Sequence, residues 1–183
     1  MSVVGVDPSL SSTGLAVLAG GVLRVQRVRS KPSGADLRAQ VVRLRAMVRQ
    51  VAEWVDVEGP ELIVMEAPAY GISENQAHFS AGYWWRLASS LLAVAPVATA
   101  APGTLKVFAT GSGRATKDEV LLAAERAFPG AGIAGNDEAD AAVLAALGAT
   151  WMNEPAGRFP GKGLRAVNSV HWPEVKSREE VGS

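Results

Sequence analysis

The sequence predicts an α/β fold, a mixed five-stranded sheet flanked by helices. Three observations carry this. Short aliphatic runs at 3–6, 15–19, 22–28, 62–65 and 94–98 have strand length. Longer stretches repeat apolar residues every three or four positions, the spacing of one helix face. The order, three strands and then helices alternating with strands, is a meander followed by α/β units, which places helices on the faces of one sheet.

Taken in order, Val3-Val4-Gly5-Val6-Asp7 is a buried-strand pattern that ends at an acid. Residues 8–14, rich in Ser, Pro and Gly, form a turn, and 15–19 form a second strand. Gly20-Gly21 is a hairpin signal before the third strand at 22–28. Ser33 or Asp36 caps the next helix, whose apolar stripe is Leu37, Val41, Leu44, Val48, Val51 and Val55. Leu62-Ile63-Val64-Met65 is a fourth strand, again ending at an acid, Glu66. A helix is expected over 75–92, a fifth strand over 94–98 and a short turn or helix from Pro102. Thr116 and Glu119 make a capping box for a helix over 117–128. An alanine-rich helix covers 137–147. Residues 1–150 are expected to form the main domain. Residues 151–183 form a C-terminal extension packed by a few aromatics, its last ten residues mobile.

Composition narrows the function. The chain has 183 residues, enough for one self-sufficient core. It has no cysteine, which excludes disulfides, thiolate metal sites and cysteine nucleophiles. Leu87 to Ala101 is interrupted by Ser89, Ser90, Pro96 and Thr99, so it cannot span a bilayer. The chain starts directly with a strand-like run, and a cytoplasmic location is expected. Net charge is zero, yet between Arg24 and Arg49 eight basic residues (Arg24, Arg27, Arg29, Lys31, Arg38, Arg43, Arg45, Arg49) face one acid, Asp36. Such a segment can neutralise phosphates. It can also be a solvated face balanced by Glu53, Asp56, Glu58 and Glu61.

The acids carry the chemistry. Asp7 and Glu66 end two buried strands, on the edge where α/β sheets gather active sites. Asp137 and Asp140 are three apart at a helix start and share a face. Glu138 is offset from that pair and is expected to be exposed. Four converging carboxylates repel one another, and divalent cations relieve the repulsion. Oxygen-only ligands select Mg²⁺, with Mn²⁺ as a substitute. Two such ions roughly 3.5–4 Å apart can activate a water and stabilise the leaving oxygen of a phosphodiester. Each acid alone also has an ordinary explanation: a turn at Asp7-Pro8-Ser9, a strand end at Glu66, a helix-dipole partner at Asp137.

Two further regions stand out. Lys106, Arg114 and Lys117 bracket the loop Gly111-Ser112-Gly113, whose amides and hydroxyls can hold a phosphate. Lys117 opens a helix, where the macrodipole disfavours a cation, and this suggests a role at the scissile phosphate. Phe79, Tyr83 and Leu87 fall four apart, and Trp84-Trp85 adds two rings. A helix this aromatic buries more than one face, one in the core and another in a dimer interface. Tyr70, near Glu66, can stack on a base or simply pack, and His78 has no partner spaced for metal binding.

Gly5-Val6-Asp7-Pro8-Ser9 with Thr13-Gly14, Val64-Met65-Glu66, the block from Pro102 to Val120 and Asn136-Asp137-Glu138-Ala139-Asp140-Ala141 together resemble the RuvC family of Holliday-junction resolvases, in its phage and actinobacterial branch. The likeness runs in order across about residues 3–150. It implies an RNase H-like fold, a homodimer with two active sites, and Mg²⁺-dependent nicking of branched DNA that leaves 5′-phosphates. By that likeness Asp7, Glu66, Asp137 and Asp140 correspond to the metal-binding acids. Lys117 and Lys106 correspond to basic residues near the DNA. The expected DNA-contacting set is Ser9, Arg29, Lys31, Tyr70, Lys106, Arg114 and Lys117. Tyr70 is displaced by one residue from the family's aromatic wedge.

Two other functions share parts of the pattern. Val4-Gly5-Val6-Asp7 with Ser9, Ser12, Thr13 and Gly14 also resembles the first phosphate loop of actin-like ATPases and sugar kinases. Those enzymes need two such domains, and this chain has room for one. A non-catalytic DNA-binding protein of the same fold would have little reason to carry four acids.

Overall fold

Five strands hydrogen-bond into one sheet, in the computed structural model that describes residues 1–32, 34, 36–68, 74–160 and 163–175, the side chains of 74–76 excepted. They are β1 (Ser2–Asp7), β2 (Ser12–Ala19), β3 (Val22–Arg29), β4 (Leu62–Glu66) and β5 (Val97–Ala100), in the order β3-β2-β1-β4-β5. The β1–β2 and β2–β3 pairs are antiparallel, and the β1–β4 and β4–β5 pairs are parallel. The sheet is therefore mixed, and the ends of β1 and β4 lie side by side.

Strand alternation decides what each face carries. Val3 and Val64 join one buried cluster, and Val4, Val6, Ile63 and Met65 join another. The second face is covered by α1 (Leu37–Glu58) and α2 (Glu74–Leu91) through Val48, Val51, Val55, Tyr83 and Leu87. The first is covered by α5 (Asn136–Trp151), backed by α3 (Pro102–Thr110), α4 (Lys117–Ala127) and the short α6 (Gly163–Val167). Every residue of α5 from Ala141 to Ala149 is buried, as expected of a helix apolar on all sides. Small residues set its closeness to the sheet. A Cβ on Gly5 would stand 1.9 Å from the Ala141 carbonyl oxygen, so only glycine lets this helix settle there.

Several element limits differ from expectation for identifiable reasons. The α1 stripe is buried only in its second half: Met47, Val48, Val51 and Val55 are in the core, while Leu37 is 72% exposed. At about 1.5 Å per residue the helix runs about 33 Å, longer than the strands beneath it, so its first turns overhang. The fifth strand begins at Val97, because the amides of Val94 and Ala95 still bond to the Leu91 carbonyl and prolong the end of α2 as turns. The segment after Pro102 is a nine-residue helix with proline in its first turn. The alanine-rich helix is longer than 137–147 at both ends. Asp36 caps α1, and Thr116 and Glu119 form the capping box on α4.

Beyond α5 the chain stays on the same core. Trp172 stacks on Trp151 at 4.7 Å and donates to the Val167 carbonyl, while Phe159 packs on Phe108. His171 bridges to Thr99 of β5. The expected mobility of the last ten residues falls mostly on 176–183, outside the described residues.

Candidate active site

The register of β1 against β4 pairs Val3 with Leu62, Gly5 with Val64 and Val6 with Met65. One step further it brings Asp7 beside Glu66, both directed to the α5 face by the strand period. The first turns of α5 then descend on the same edge. A Cβ on Gly14, the cross-strand neighbour of Asp7, would lie 1.9 Å from the Asp137 carbonyl oxygen. That close approach sets Asp137 and Asp140 over the strand ends. The four acids line one cavity of about 290 Å³ with Ser9, Lys106 and Lys117. Asp7 is 8% exposed.

Burial makes this crowding costly for the charged forms. Burial first, then the charge of Glu66 and Asp140 and a hydrogen bond to Glu66, holds the Asp7 carboxyl well above the ordinary range. Glu66 is raised by burial, opposed by its hydrogen bond with Asp7 and by Lys117 and Lys106. Asp140 is pushed up to about 7, by burial first and then Glu66, with Lys117 and Lys106 pulling it down. Asp7, Glu66 and Asp140 thus bind protons more readily than free carboxylates would. Among the described residues, no group of three or more His, Cys, Asp or Glu side chains is already closed on a metal position.

The remaining predicted residues fall in different places. Lys117 is exposed at the first position of α4, and Lys106 is half-buried on α3. Arg114 is exposed and outside the cavity lining. Arg29 ends β3 opposite Ser12, and Lys31 follows it, both exposed. Tyr70 lies outside the described residues. His78 is exposed, its ring edge-on to Phe79, so it has no core role.

The basic segment is partly spoken for. Arg24 pairs with Glu58, and Arg49 with Glu53. Arg43 donates to Ser30 and to the Leu10 carbonyl, tying α1 to the loop after β1. Arg27 pairs with Glu138 at 3.1 Å. This corrects the expectation for Glu138, which is buried at 6% exposure, because the charge has a guanidinium beside it and not water. Arg29, Lys31, Arg38 and Arg45 remain exposed.

Sequence reasoning also missed two supports of the acid-bearing loops. The Tyr83 hydroxyl lies 2.6 Å from Thr13 Oγ1, which donates to the Ser9 carbonyl. Burial pushes the Tyr83 hydroxyl up to about 12, so it stays protonated. The Trp84 indole N–H donates to the Glu66 carbonyl at 2.9 Å. For Arg27 a signal existed: strand alternation puts it on the face of Leu23 and Val25, which belong to the α5-side core. For Tyr83 and Trp84 nothing in the spacing distinguished a loop support from core packing.

No family model matches the chain. Among curated proteins, the crossover junction endodeoxyribonuclease RuvC of Acidiphilium cryptum is 31% identical over 78% of this chain and 87% of its own length. That of Saccharopolyspora erythraea is 32% identical over 87% and 81%, and that of an Anaeromyxobacter species 32% over 97% and 85%. Among solved structures, Thermus thermophilus RuvC superposes with a TM-score of 0.65 at 22% identity, over 86% of this chain and 100% of that one. The same protein in complex with a Holliday junction substrate gives 0.66 at 20%, over 86% and 99%. The fold is therefore RNase H-like, as its sheet order and layering already suggested. At 31–32% identity over most of its length, the chain belongs to the RuvC family of crossover junction endodeoxyribonucleases.

Proposed function

We propose that the protein is a divalent-metal-dependent endonuclease that nicks Holliday junctions or related branched DNA, working as a homodimer. The observation that carries the reading is the single cavity in which four carboxylates meet two lysines at the carboxyl edge of the sheet. Relatives named as crossover junction endodeoxyribonucleases supply the substrate class.

The donor set suits a hard cation. Asp7, Glu66, Asp137 and Asp140 offer only oxygen, which favours Mg²⁺, with Mn²⁺ able to replace it. The raised proton affinities of Asp7, Glu66 and Asp140 mark a site that lacks positive charge, and Lys106 and Lys117 offset it only in part. When bound, the cation supplies neutralising charge and Lewis acidity at a phosphodiester. The residues do the rest. Asp7 and Glu66 are fixed on adjacent strands, so their spacing varies little. Asp137 and Asp140 approach from α5. Lys117 and Lys106 bring positive charge to the same cavity, where a phosphate would otherwise meet four acids. Ser9 adds a hydroxyl at the rim. In-line hydrolysis there would leave 5′-phosphate and 3′-hydroxyl ends.

Exposed cations would take the flanking backbone: Arg29 and Lys31 beside β3, and Arg114 beside α4. The homodimer reading rests on α2. Tyr83, Leu87 and Leu91 bury one face, while Trp85 on the other is 69% exposed. A large aromatic left in water suits an interface with a second copy.

The test is a cleavage panel. Purified protein with Mg²⁺ is given a labelled four-way junction, a replication fork, a flap and a matched linear duplex. Nicking of the branched substrates in preference to the duplex is expected. Equal cutting of linear DNA would remove the resolvase reading, and tight junction binding without cutting would leave a binding protein of this fold.

A further inference from the structure

The buried residues of α5 are all apolar side chains or glycine, with one exception. Glu138 sits in its first turn with its side chain 8% exposed, where alanine would cost less. Its Oε1 forms an ion pair with Arg27 Nε at 3.1 Å, and its Oε2 is buried with no hydrogen-bond partner among the described residues. Arg27 NH1 also stands 3.9 Å from Asp137 Oδ2. A guanidinium at a helix N-terminus is opposed by the macrodipole, so the two carboxylates account for its place there. The helix start needs such a hold. Its N-cap is Gly135, in extended conformation and with no side chain to bond the free amides. Arg27 comes from β3, opposite Gly14, the residue over which Asp137 rests.

We propose that Arg27 and Glu138 are positioning residues. The pair latches the uncapped first turn of α5 to β3 and so holds Asp137 and Asp140 at the spacing that lets them share a cation with Asp7. This rests on the metal-site reading given above. The latch acts on the helix start, and neither residue lines the acid cavity. Groups that orient metal ligands typically alter metal affinity by about ten-fold or more when removed.

The experiment measures Mg²⁺ and Mn²⁺ binding to the full-length protein by calorimetry without DNA, with thermal unfolding and the Mg²⁺ dependence of junction nicking alongside. Arg27→Ala and Glu138→Ala are each expected to raise the metal dissociation constant and the half-saturating Mg²⁺ concentration about ten-fold. The nicking rate at saturating Mg²⁺ should stay near wild type. The double variant should be no worse than the worse single, because both remove one contact. Glu138→Gln keeps the shape and guards against misfolding; it should give a smaller shift in the same direction. Asp137→Asn is the control that separates the two readings. If it weakens metal binding while the Arg27 and Glu138 variants only lower the melting temperature, the latch is structural and the proposal is overturned. Additive effects of the two single changes would also overturn it. If Asp137→Asn leaves metal binding intact, the acid-site reading fails and the latch with it.

Discussion

Gly14 lies directly beneath the backbone of Asp137, so near that a Cβ would come within 1.9 Å of the Asp137 carbonyl oxygen. A residue of β2 with no side chain thus sets the height of a candidate metal ligand on α5. Gly14→Ala must push the start of α5 outward. The expected cost is about 1–3 kcal/mol of stability, the range for overpacking a tight contact, together with a loss of nicking larger than the stability loss explains. Gly82→Ala is the contrast, since a Cβ there meets nothing within 4 Å. It should stabilise α2 by about 0.5–1 kcal/mol, given the poor helix propensity of glycine. Chemical denaturation of both variants checks the pair of outcomes.

Asp7→Asn tests the centre of the acid set. Asp7 is strongly disfavoured in its charged form, through burial and three neighbouring carboxylates. The amide keeps the shape and removes the charge. Nicking should fall by at least about two orders of magnitude, with junction binding retained. The metal-free protein should melt higher than wild type, because folding no longer has to neutralise a buried carboxylate. A lower melting temperature would mean that Asp7 is satisfied in the metal-free fold.

The pH dependence of the metal-free protein has a definite sign. Asp140 is pushed up to about 7, and Asp7 and Glu66 are also raised. Between the usual carboxylate range and about pH 7 the folded state holds protons that the unfolded state has released. Stability therefore falls as pH rises across that window. Metal binding must displace the same protons, so Mg²⁺ affinity should climb from pH 6 to pH 8. Thermal melts across pH 5–8 with and without Mg²⁺ check both. Stability rising with pH in the metal-free protein would contradict the electrostatics of the site.

Trp85 stands exposed on α2, edge-on to Trp84 at 5.0 Å, while Trp84 holds the Glu66 carbonyl. If this face meets a second copy, Trp85→Glu should move the protein from dimer to monomer in sedimentation velocity and leave its circular dichroism unchanged. A dimer that persists would place the interface elsewhere.

Much of this was legible in the sequence because it depends on local pattern. The strand-end acids Asp7 and Glu66 announce themselves by closing apolar runs, and Asp137 and Asp140 by spacing on a helix start. The capping box at Thr116 and Glu119 is likewise a local signature. Glu138 misled for a physical reason: one helical step from Asp137, it turns inward only because Arg27 waits there. Arg27 in turn belonged by sequence to a basic segment, and its partner is more than a hundred residues away. Tyr83 and Trp84 read as packing, yet their polar atoms hold the two loops that carry the acids.

The sequence by itself determined the strands, the helices, the family and the candidate metal-binding acids, since periodicity, caps and residue chemistry act over a few positions. Only the tertiary structure decided which face each strand end presents, how close α5 lies above Gly5 and Gly14, and which arginines are committed to protein carboxylates. Those outcomes depend on register and on contacts between distant segments. A shift of one residue in register would turn Asp7 away from Asp137 altogether.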